Sequence, residues 1–409
     1  MTCRSNEDPP FGVPAHPVVQ PAACAGNMLK VALPGLLLIW VAFADAGPVY
    51  PWSEVISGVS FRMDSLRNIA PRNKVAASGS DNWAITWADD DHQYAVFGDG
   101  SGFRTSNALR ASLGVARIEG GKDDYSAFNV FKTGNEAGGW AGKSLGIISV
   151  EGALYMFRNG TGSAAGAFQQ TELYKSADHG ASWTFTGLKW LDTDFIGSKG
   201  FFSPTFLQFG KNYEGARDGF VYIYAVEETT SAGSDAWDVQ RPGEISLIRV
   251  PTSSLSSQGA YEYFAGRDGA GNPLWSPDVN RRVPVFRDAP NGVMRTSVSY
   301  NAGLKRYLLT TQQVSRFRER DYHIGIYEAP EPWGPWFTVL FQDAQQVGPG
   351  LNQGTKTVYW NFSNKWLSAD GTRFVLVYTG PGADQWGTVE GVFVRATANS
   401  SSLSAAAGR

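Results

Sequence analysis

Five segments of the chain share one pattern of hydrophobic and polar positions: an apolar run, a tight turn, and a second run rich in Tyr, Val and Phe. Alternating apolar and polar residues around a turn that contains Gly or Asp-Gly are typical of β-hairpins. The pattern therefore predicts an all-β protein. The five predicted hairpins are Ala84–Phe97, Leu145–Phe157, Thr205–Val226, Ser297–Thr310 and Lys365–Tyr378.

A second strand pair, or its first strand, follows each hairpin. Since one hairpin cannot bury both of its faces, repeated four-stranded units must pack against one another. A ring of such sheets is a β-propeller, so we predict a five-bladed β-propeller in a single domain. Ser57–Ile69 precedes the first repeat, and we expect it to supply the outer strand that closes the ring on the last blade. The following segments are Ser112–Glu119, Thr171–Phe185, Glu244–Val250, His323–Leu340 and Val389–Ala396.

The N-terminal residues have the pattern of a secretory signal peptide. After Met28 and a lysine, Val31–Phe43 is an apolar run, and Ala44-Asp45-Ala46 forms a small-x-small cleavage site. We therefore assign residues 1–46 to an N-terminal extension and signal peptide, residues 47–398 to the propeller, and residues 399–409 to a flexible tail. The predicted location is periplasmic or secreted. A retained N-terminal anchor is the alternative.

Composition excludes several classes of function. The chain has 35 Lys+Arg against 38 Asp+Glu, a net charge of −3, so no global charge attracts nucleic acid. Its 4 His and 2 Cys leave little from which to build a zinc site or a Cys/His catalytic pair. We expect a monomer that binds no nucleic acid and, after signal cleavage, no membrane. No cofactor is required for the predicted function, and a structural Ca2+ remains open.

One motif supports the propeller independently. Ser176-Ala177-Asp178-His179-Gly180-Ala181-Ser182-Trp183 resembles the Asp box of sialidase-like propellers, S-x-D-x-G-x-x-W. We expect Asp178 to accept hydrogen bonds from backbone N–H groups across the turn and Trp183 to pack between blades. The motif is structural, and we interpret His179 as a surface residue of the turn.

The propeller geometry indicates where a site would lie. Inner strands begin at one mouth of the central channel, and the loops between second and third strands return to that mouth, where ligands bind in closed β-structures. Asp89, Asp90 and Asp91 fall in the first hairpin turn, so we interpret them as a solvated turn rather than a cation site. Polar residues predicted at the mouth include Asp81, Asp99, Lys143, Arg158, Glu227, Arg295, Asn361, Lys365 and Asp384.

Carboxylates that face each other across a pocket suit glycoside hydrolysis, in which one protonates the leaving oxygen and the other activates water or attacks. We predict Asp81 as the base or nucleophile because it opens the first inner strand, and Asp99 or Glu227 as the acid. The predicted substrate is a polysaccharide, with an anionic one left open. Its predicted binding residues are Trp83, Lys143, Arg158, Arg295, Tyr300, Asn361 and Lys365.

Two other functions remain open. A polysaccharide lyase acting on a uronate needs cations to neutralise the substrate carboxylate and a Tyr or His to move a proton. Arg295, Tyr300, Lys143 and Lys365 could supply these groups. A non-catalytic glycan-binding propeller would need the aromatic residues without a buried carboxyl group of shifted pKa.

Asp81-Asn82-Trp83, with Trp87-Ala88-Asp89-Asp90 and Phe97-Gly98-Asp99-Gly100, resembles the opening blade of a bacterial propeller family long described as a domain of unknown function. Phe209–Asp218, Ser299–Tyr307 and Glu328–Trp336 extend the resemblance over most of residues 75–395. Relatives of this family include five-bladed endo-D-arabinanases, which are inverting glycoside hydrolases. The resemblance implies that Asp81 is the acidic residue at the start of the first blade and that Asp99 is the second, glycine-flanked one. A more distant likeness to ulvan-type lyases keeps elimination open, although their catalytic His is not evident.

Overall fold

The computed structural model describes residues 47–104, 110–132, 142–144, 146–159, 170–229, 239–315, 318–343, 358–380 and 383–396. These residues form β-strands and short 3-10 helices, with no α-helix among them. The predicted signal peptide and tail lie outside the described residues. In the part of the chain that is described, no helix has the length and apolar character needed to cross a membrane. The 3-10 helices are Asp192–Asp194, Lys211–Tyr213, Thr252–Ser254, Gln258–Ala260, Val279–Arg281 and Asn364–Trp366.

The first two sheets are antiparallel and have four strands each, in the order in which the strands follow along the chain. This is the arrangement predicted for repeated hairpin pairs. The first sheet contains β2 (Ile85–Trp87), β3 (Gln93–Gly100), β4 (Ala111–Glu119) and β5 (Ser126–Lys132). The second contains β6 (Ile147–Val150), β7 (Ala153–Asn159), β8 (Gln170–Ser176) and β9 (Thr184–Leu191).

Two further antiparallel series are joined into one larger sheet by a short parallel pairing of β10 with β16, Leu207 to Val298 and Gln208 to Ser299. The third series contains β10 (Phe201–Gln208), β11 (Phe220–Glu227), β12 (Glu244–Pro251), β13 (Glu262–Arg267) and β14 (Pro273–Ser276), and β15 (Pro284–Arg287) pairs with β12. The fourth contains β16 (Arg295–Asn301), β17 (Arg306–Ser315), β18 (Arg318–Ala329) and β19 (Phe337–Asp343).

The last sheet combines both ends of the described chain. Its outer strand is β1, which pairs antiparallel with β22 from Ile56–Arg395 to Arg67–Thr388. The prediction that Ser57–Ile69 completes the last sheet is therefore confirmed. The sheet contains β20 (Val358–Phe362), β21 (Arg373–Thr379), β22 (Trp386–Arg395) and β1 (Ile56–Arg67).

Hydrogen bonds connect the first strand of each sheet or series to the first strand of the next, and these connections form a cycle. Together with the parallel pairing of β10 with β16, they link β2 to β6, β6 to β10, β16 to β20, and β20 back to the residues before β2. Side chains make these bonds because the strand backbones already pair within their own sheets. The bonds run from Ser149 N to Thr86 Oγ1 (3.0 Å), Gln208 Nε2 to Ile147 O (2.9 Å), Ser297 Oγ to Trp360 O (2.6 Å) and Asn361 Nδ2 to Trp83 O (3.3 Å).

The sequence pattern of a strand follows its position in its sheet. Inner positions are covered on both faces, and β11 is accordingly apolar and buried along nearly its whole length. The outer strand β1 instead alternates between exposed and covered residues. The end of the sheets at which β2, β6, β10, β16 and β20 begin is called the mouth end below, and the opposite end, with the turns that follow these strands, is called the turn end.

Candidate active site

Asp81 lies at the mouth end, directly before β2. It forms a bridge with Gly98 of β3 through two backbone hydrogen bonds, from Asp81 N to Gly98 O (3.0 Å) and from Gly98 N to Asp81 O (2.9 Å). Asp99 is the next residue of β3, and its negative charge acts on the carboxyl group of Asp81. Both predicted acids therefore lie at the mouth end of the first sheet, where the start of the first strand and the end of the second strand meet.

A lysine from the second sheet completes this edge. Lys143 Nζ forms an ion pair with Asp99 and donates a hydrogen bond to the backbone O of Ser112 (3.1 Å). The backbone of Lys143 pairs with Asn159, which fixes it immediately before β6. Only 13% of the Lys143 side chain is exposed, against 45% for Asp99. The ion pair is therefore partly shielded from water on the lysine side.

Asp81 is in an unusual electrostatic position. Burial raises the pKa of its carboxyl group to about 7, and the negative charges of Asp99 and Asp384 add to this rise, while Arg295 and Lys143 oppose it. Its Oδ1 is buried and has no hydrogen-bond partner among the described residues, although the residue as a whole is partly exposed. Asp81 can therefore gain or lose a proton near neutral pH.

Arg295 begins β16 and is buried at the mouth end. Its Nη1 donates a hydrogen bond to Asn82 Oδ1 (2.6 Å), and its guanidinium carbon lies 3.5 Å from the centre of the Tyr359 ring. Asn82, Arg295, Tyr359 and Asn361 line one small cleft with residues of β16, β17 and β20. The first sheet, the fourth series and the last sheet thus meet next to Asp81.

Three residues of this site, and the neighbouring core residue Trp83, have a left-handed backbone, which residues other than Gly rarely adopt. Their φ angles are 85° for Asn82, 33° for Trp83, 57° for Asp99 and 65° for Tyr359. Such conformations store strain and persist only where the surrounding structure enforces them, which is common at functional sites. Seven described residues outside this region have the same conformation, so it does not by itself distinguish a functional cluster from a structural one.

Three predicted binding residues lie elsewhere. The Trp83 side chain is 0% exposed and packs against Phe97 and Trp386, so it cannot stack on a sugar. Tyr300 lies at the far end of β16 and packs against other aromatic rings. Lys365 follows β20 at the turn end, where its Nζ pairs with Asp91 Oδ2 (3.0 Å). The predicted position of Lys365 at the mouth was wrong. The sequence pattern places Lys365 at the start of the fifth hairpin, whereas the first strand of the last sheet ends at Phe362 and Lys365 follows it.

Glu227 and Arg158 have partners of their own. Glu227 ends β11 and is held by Arg282, whose Nη2 lies 2.6 Å from Glu227 Oε2. Arg158 Nη1 donates to the hydroxyl of Tyr174 (2.8 Å) and lies 3.8 Å from Glu172 Oε2. The predicted site residues whose charges act most strongly on Asp81 are Asp99, Arg295 and Lys143. Of the predicted site residues, the structure therefore brings together Asp81, Asp99, Lys143, Arg295 and Asn361.

Two members of the cluster do not stand out in the sequence. The pattern does not indicate Tyr359, because it predicts the fifth hairpin at Lys365–Tyr378, whereas the first strand of the last sheet is Val358–Phe362. Asp384 is predicted in a returning loop without a role, and its charge acts on Asp81. The backbone O of Asp384 accepts a hydrogen bond from Gly79 N (2.5 Å), which holds this loop next to the segment before β2.

The acidic turn after β2 has protein partners. Asp89 Oδ1 lies 2.9 Å from His179 Nε2, Asp90 Oδ2 accepts from the Tyr94 hydroxyl (2.6 Å), and Asp91 pairs with Lys365. His179 lies in the turn after β8, so this contact joins the first two sheets at the turn end. Asp89, Asp90 and His179 also offer ligand atoms within 4.8 Å of one another, so the choice between a solvated turn and a cation site stays a prediction.

The segment from Ser176 to Trp183 forms a closed turn. Asp178 Oδ1 accepts from Ser182 N (2.9 Å), and Trp183 Nε1 donates to Gly180 O (3.1 Å). Hydrogen bonds from the Ser182 side chain and backbone hold the pKa of Asp178 at about 2. Trp183 is buried in a cluster with residues of the first sheet, so the contacts expected for both residues are present.

Several solved structures align with the chain at low similarity. An α-L-arabinofuranosidase of Podospora anserina, solved with cellotriose, aligns at 10% identity and a TM-score of 0.45, over 83% of this chain and 98% of that chain. A GH43_1 enzyme of Xanthomonas citri aligns at 15% identity and 0.43, over 77% and 89%. A protein of unknown function from Dyadobacter fermentans aligns at 11% identity and 0.43, over 83% and 100%. These TM-scores are below 0.5, and the fold described above rests on the strand pairings.

Comparison by sequence, unlike the structural alignments, identifies the family of the chain. Among curated proteins, none matches it. The family model described as "Domain of unknown function (DUF4185)" matches residues 146–366, which is more than half of the chain. That range begins just before β6 and includes β20 with the helix that follows it, and it therefore contains Arg295 and Tyr359 but not Asp81 or Asp99. The chain belongs to the DUF4185 family.

Proposed function

We propose that this protein is a glycoside hydrolase that cleaves a polysaccharide at the mouth of a five-bladed β-propeller. The observation that carries the proposal is the carboxyl group of Asp81, whose pKa of about 7 allows proton exchange near neutral pH, beside Asp99 in its ion pair with Lys143. Glycoside hydrolysis needs two carboxyl groups with different protonation states, and unequal environments provide them.

The five-bladed arrangement is supported by the cyclic bonding of the first strands and by the pairing of β1 with β22. Closing a ring with the first and last strands of the chain removes the exposed edges that an open sheet would leave. In this arrangement the turn of Ser176 to Trp183 is an Asp box, and the mouth end gathers Asp81, Asp99 and Lys143.

The geometry favours roles opposite to those expected from the sequence. A carboxyl group whose pKa is raised to about 7 remains protonated in mildly acidic solution, which suits a general acid. Asp99 is more exposed and paired with a cation, which suits a base that activates water. Asp81 would therefore protonate the leaving oxygen, and Asp99 would take the proton of the attacking water.

The charge of the site favours a neutral glycan. Among the described residues, three carboxyl groups (Asp81, Asp99 and Asp384) and two cations (Lys143 and Arg295) interact electrostatically at the proposed reaction centre. Lys143 already pairs with Asp99, and Arg295 is held by Asn82 and Tyr359. A uronate carboxylate would meet excess negative charge whenever Asp81 is ionised, so neutral sugar units fit better.

One observation keeps elimination as the second candidate. Tyr359 lies against Arg295 at the mouth end and replaces Tyr300 as the tyrosine that could move a proton. Burial, however, raises the pKa of Tyr359, which makes its phenolate harder to form. Hydrolysis is therefore the better-supported reaction.

The proposal includes an exported, monomeric enzyme that works without a cofactor, since its acid and base are side chains of the chain itself. The sequence resemblance of Asp81 and Asp99 to the acids of endo-D-arabinanase relatives also supports hydrolysis. A non-catalytic glycan-binding propeller would not need a buried carboxyl group of shifted pKa such as that of Asp81.

A panel of neutral and uronate-containing polysaccharides tests the reaction. Purified protein without residues 1–46 is incubated with each glycan while reducing ends and ultraviolet absorbance are measured. Hydrolysis releases reducing ends alone, whereas elimination also creates an unsaturated uronate that absorbs in the ultraviolet. Retention on a glycan without either product would contradict the enzymatic proposal.

A further inference from the structure

The guanidinium group of Arg295 connects three sheets at the mouth end. It begins β16 of the fourth series, stacks on Tyr359 of β20 at 3.5 Å, and donates to Asn82 before β2 at 2.6 Å. The ring centre of Phe202 in β10 lies 5.8 Å away. A planar, weakly hydrated guanidinium suits this position because it can stack and donate in its plane together.

Asn82 is held from two directions. Its Oδ1 accepts from Arg295, and its backbone N donates to Thr379 Oγ1 of β21 (3.1 Å). The residue is 1% exposed and has a φ of 85°, a left-handed conformation that Asn tolerates better than most residues. Rotation about its backbone would break both bonds, so Asn82 has little freedom to move.

The fixed backbone of Asn82 determines where Asp81 points. Asp81 precedes Asn82 and is held on its other side by the two backbone bonds to Gly98. A Cβ on Gly98 would lie 2.8 Å from Asn82 Nδ2 and 3.1 Å from Asp81 Oδ1, which shows how closely these groups pack. We propose that Arg295 is a positioning residue: stacked on Tyr359, it holds Asn82 and thereby fixes the carboxyl group of Asp81.

The same placement makes Arg295 an electrostatic partner of Asp81. The charged groups acting on Asp81 are Asp99 from β3, Lys143 before β6, Arg295 from β16 and Asp384 before β22, and the hydroxyl of Tyr359 from β20 lies in the same field. Arg295 is the stronger of the two cations that lower the pKa of Asp81. Since Lys143 is paired with Asp99, removal of Arg295 leaves Asp81 without its stronger cationic partner.

This inference deepens the proposed function and rests on Asp81 being catalytic, but its first test does not need a substrate. Asp residues are labelled with 13C at the carboxyl carbon, and the Asp81 signal is assigned by its loss in Asp81→Asn. Its titration midpoint is then compared between the wild type, Arg295→Met and Arg295→Gln. The last variant keeps a donor for Asn82 but has no charge.

Arg249→Met is the matched control. Arg249 also stacks on aromatic rings, at 4.2 Å from both Phe220 and Trp275, and it pairs with Glu262 away from the mouth end. We expect the Asp81 midpoint to rise by about one pH unit in both Arg295 variants and to stay unchanged in Arg249→Met. Loss of Arg295 would then have an effect that loss of stacking elsewhere does not.

A second arm separates positioning from charge. Asn82→Ala keeps Arg295 but removes its acceptor, so it should change the midpoint less than Arg295→Met does and still lower kcat at least tenfold. If hydrolysis is never found, an upward change of the midpoint in the Arg295 variants would still support the inference while the proposed function fails. An unchanged midpoint in a folded Arg295→Gln or Arg295→Met protein would overturn the role of Arg295.

Discussion

Asp81 and Gly98 exchange two backbone hydrogen bonds, of 3.0 and 2.9 Å, at the mouth end of the first sheet. This bridge sets Asp81 beside Asp99, and two residues later the Trp83 side chain enters the aromatic core with Phe97 and Trp386. The catalytic candidate and a core residue therefore belong to one three-residue segment. Changes that move this segment should lower both activity and stability. Changes to the Asp81 carboxyl group alone should lower activity without lowering stability.

The raised pKa of Asp81 predicts a pH-dependent gain in stability for Asp81→Asn. The folded state disfavours the ionised carboxyl group. Below about pH 4, Asp81 is protonated in both the folded and the unfolded state, and the wild type has its full stability. As the pH rises towards 7, ionisation favours the unfolded state and the free energy of unfolding falls. When the folded and unfolded pKa values of a group differ by one, its contribution to stability changes by about 1.4 kcal/mol. With the partial exposure of Asp81 taken into account, the variant should gain about 2–4 kcal/mol relative to the wild type between pH 4 and pH 8.

Chemical denaturation of both proteins at the two pH values measures this difference. Asp64→Asn is the control, since 76% of the Asp64 side chain is exposed on β1 and it should show no comparable trend. A stability difference between Asp81→Asn and the wild type that is equal at pH 4 and pH 8 would contradict the buried carboxyl.

Gly98→Ala should damage both the fold and the site. Its Cβ would lie 2.8 Å from Asn82 Nδ2 and 3.2 Å from the backbone O of Ser112, distances that force neighbouring groups to move. We expect a loss of about 1–3 kcal/mol in the free energy of unfolding, together with at least a tenfold loss of kcat. Gly58→Ala in β1 has open space around its new Cβ and should be neutral in both measurements. Equal behaviour of the two variants would argue against tight packing at Gly98.

Lys365→Ala should leave catalysis unchanged, although the sequence pattern predicts this lysine at the mouth. Its ammonium group pairs with Asp91 at the turn end, on the opposite side of the sheets from Asp81. We expect kcat/KM within about twofold of the wild type, because exposed or half-exposed ion pairs contribute little elsewhere. A tenfold loss in kcat/KM would show that the turn end takes part in the reaction.

Much of the fold could be predicted because hydrophobic alternation reports strand and turn positions directly. The hairpin of Ala84–Phe97 corresponds to β2 and β3, and Ser57–Ile69 pairs with the last strand as expected. Asp81, Asp99 and Lys143 could be found because the start of a first strand and the return loop after a second strand must meet at one edge. These inferences need only chain order and strand direction.

The remaining differences arose from the assignment of one strand and from contacts between residues far apart in the chain. The short strand β20 is followed by a 3-10 helix, Asn364–Trp366, and this moved Lys365 to the turn end and hid Tyr359. Glu227 was a reasonable acid until Arg282, 55 residues later, proved to hold both of its oxygens. Contacts between residues so far apart in the chain depend on side-chain packing, which alternation alone does not encode.

The pH dependence of kcat/KM, measured on a glycan that the wild type cleaves, tests the central claim most directly. If Asp81 is the general acid, kcat/KM should fall as pH rises through about 7, because its carboxyl group then loses the proton that it must donate. Asp81→Asn should remove this limb and at least about 99% of the activity while remaining folded. Retention of most activity in Asp81→Asn, or a wild-type profile that rises through pH 7 instead, would contradict this role for Asp81.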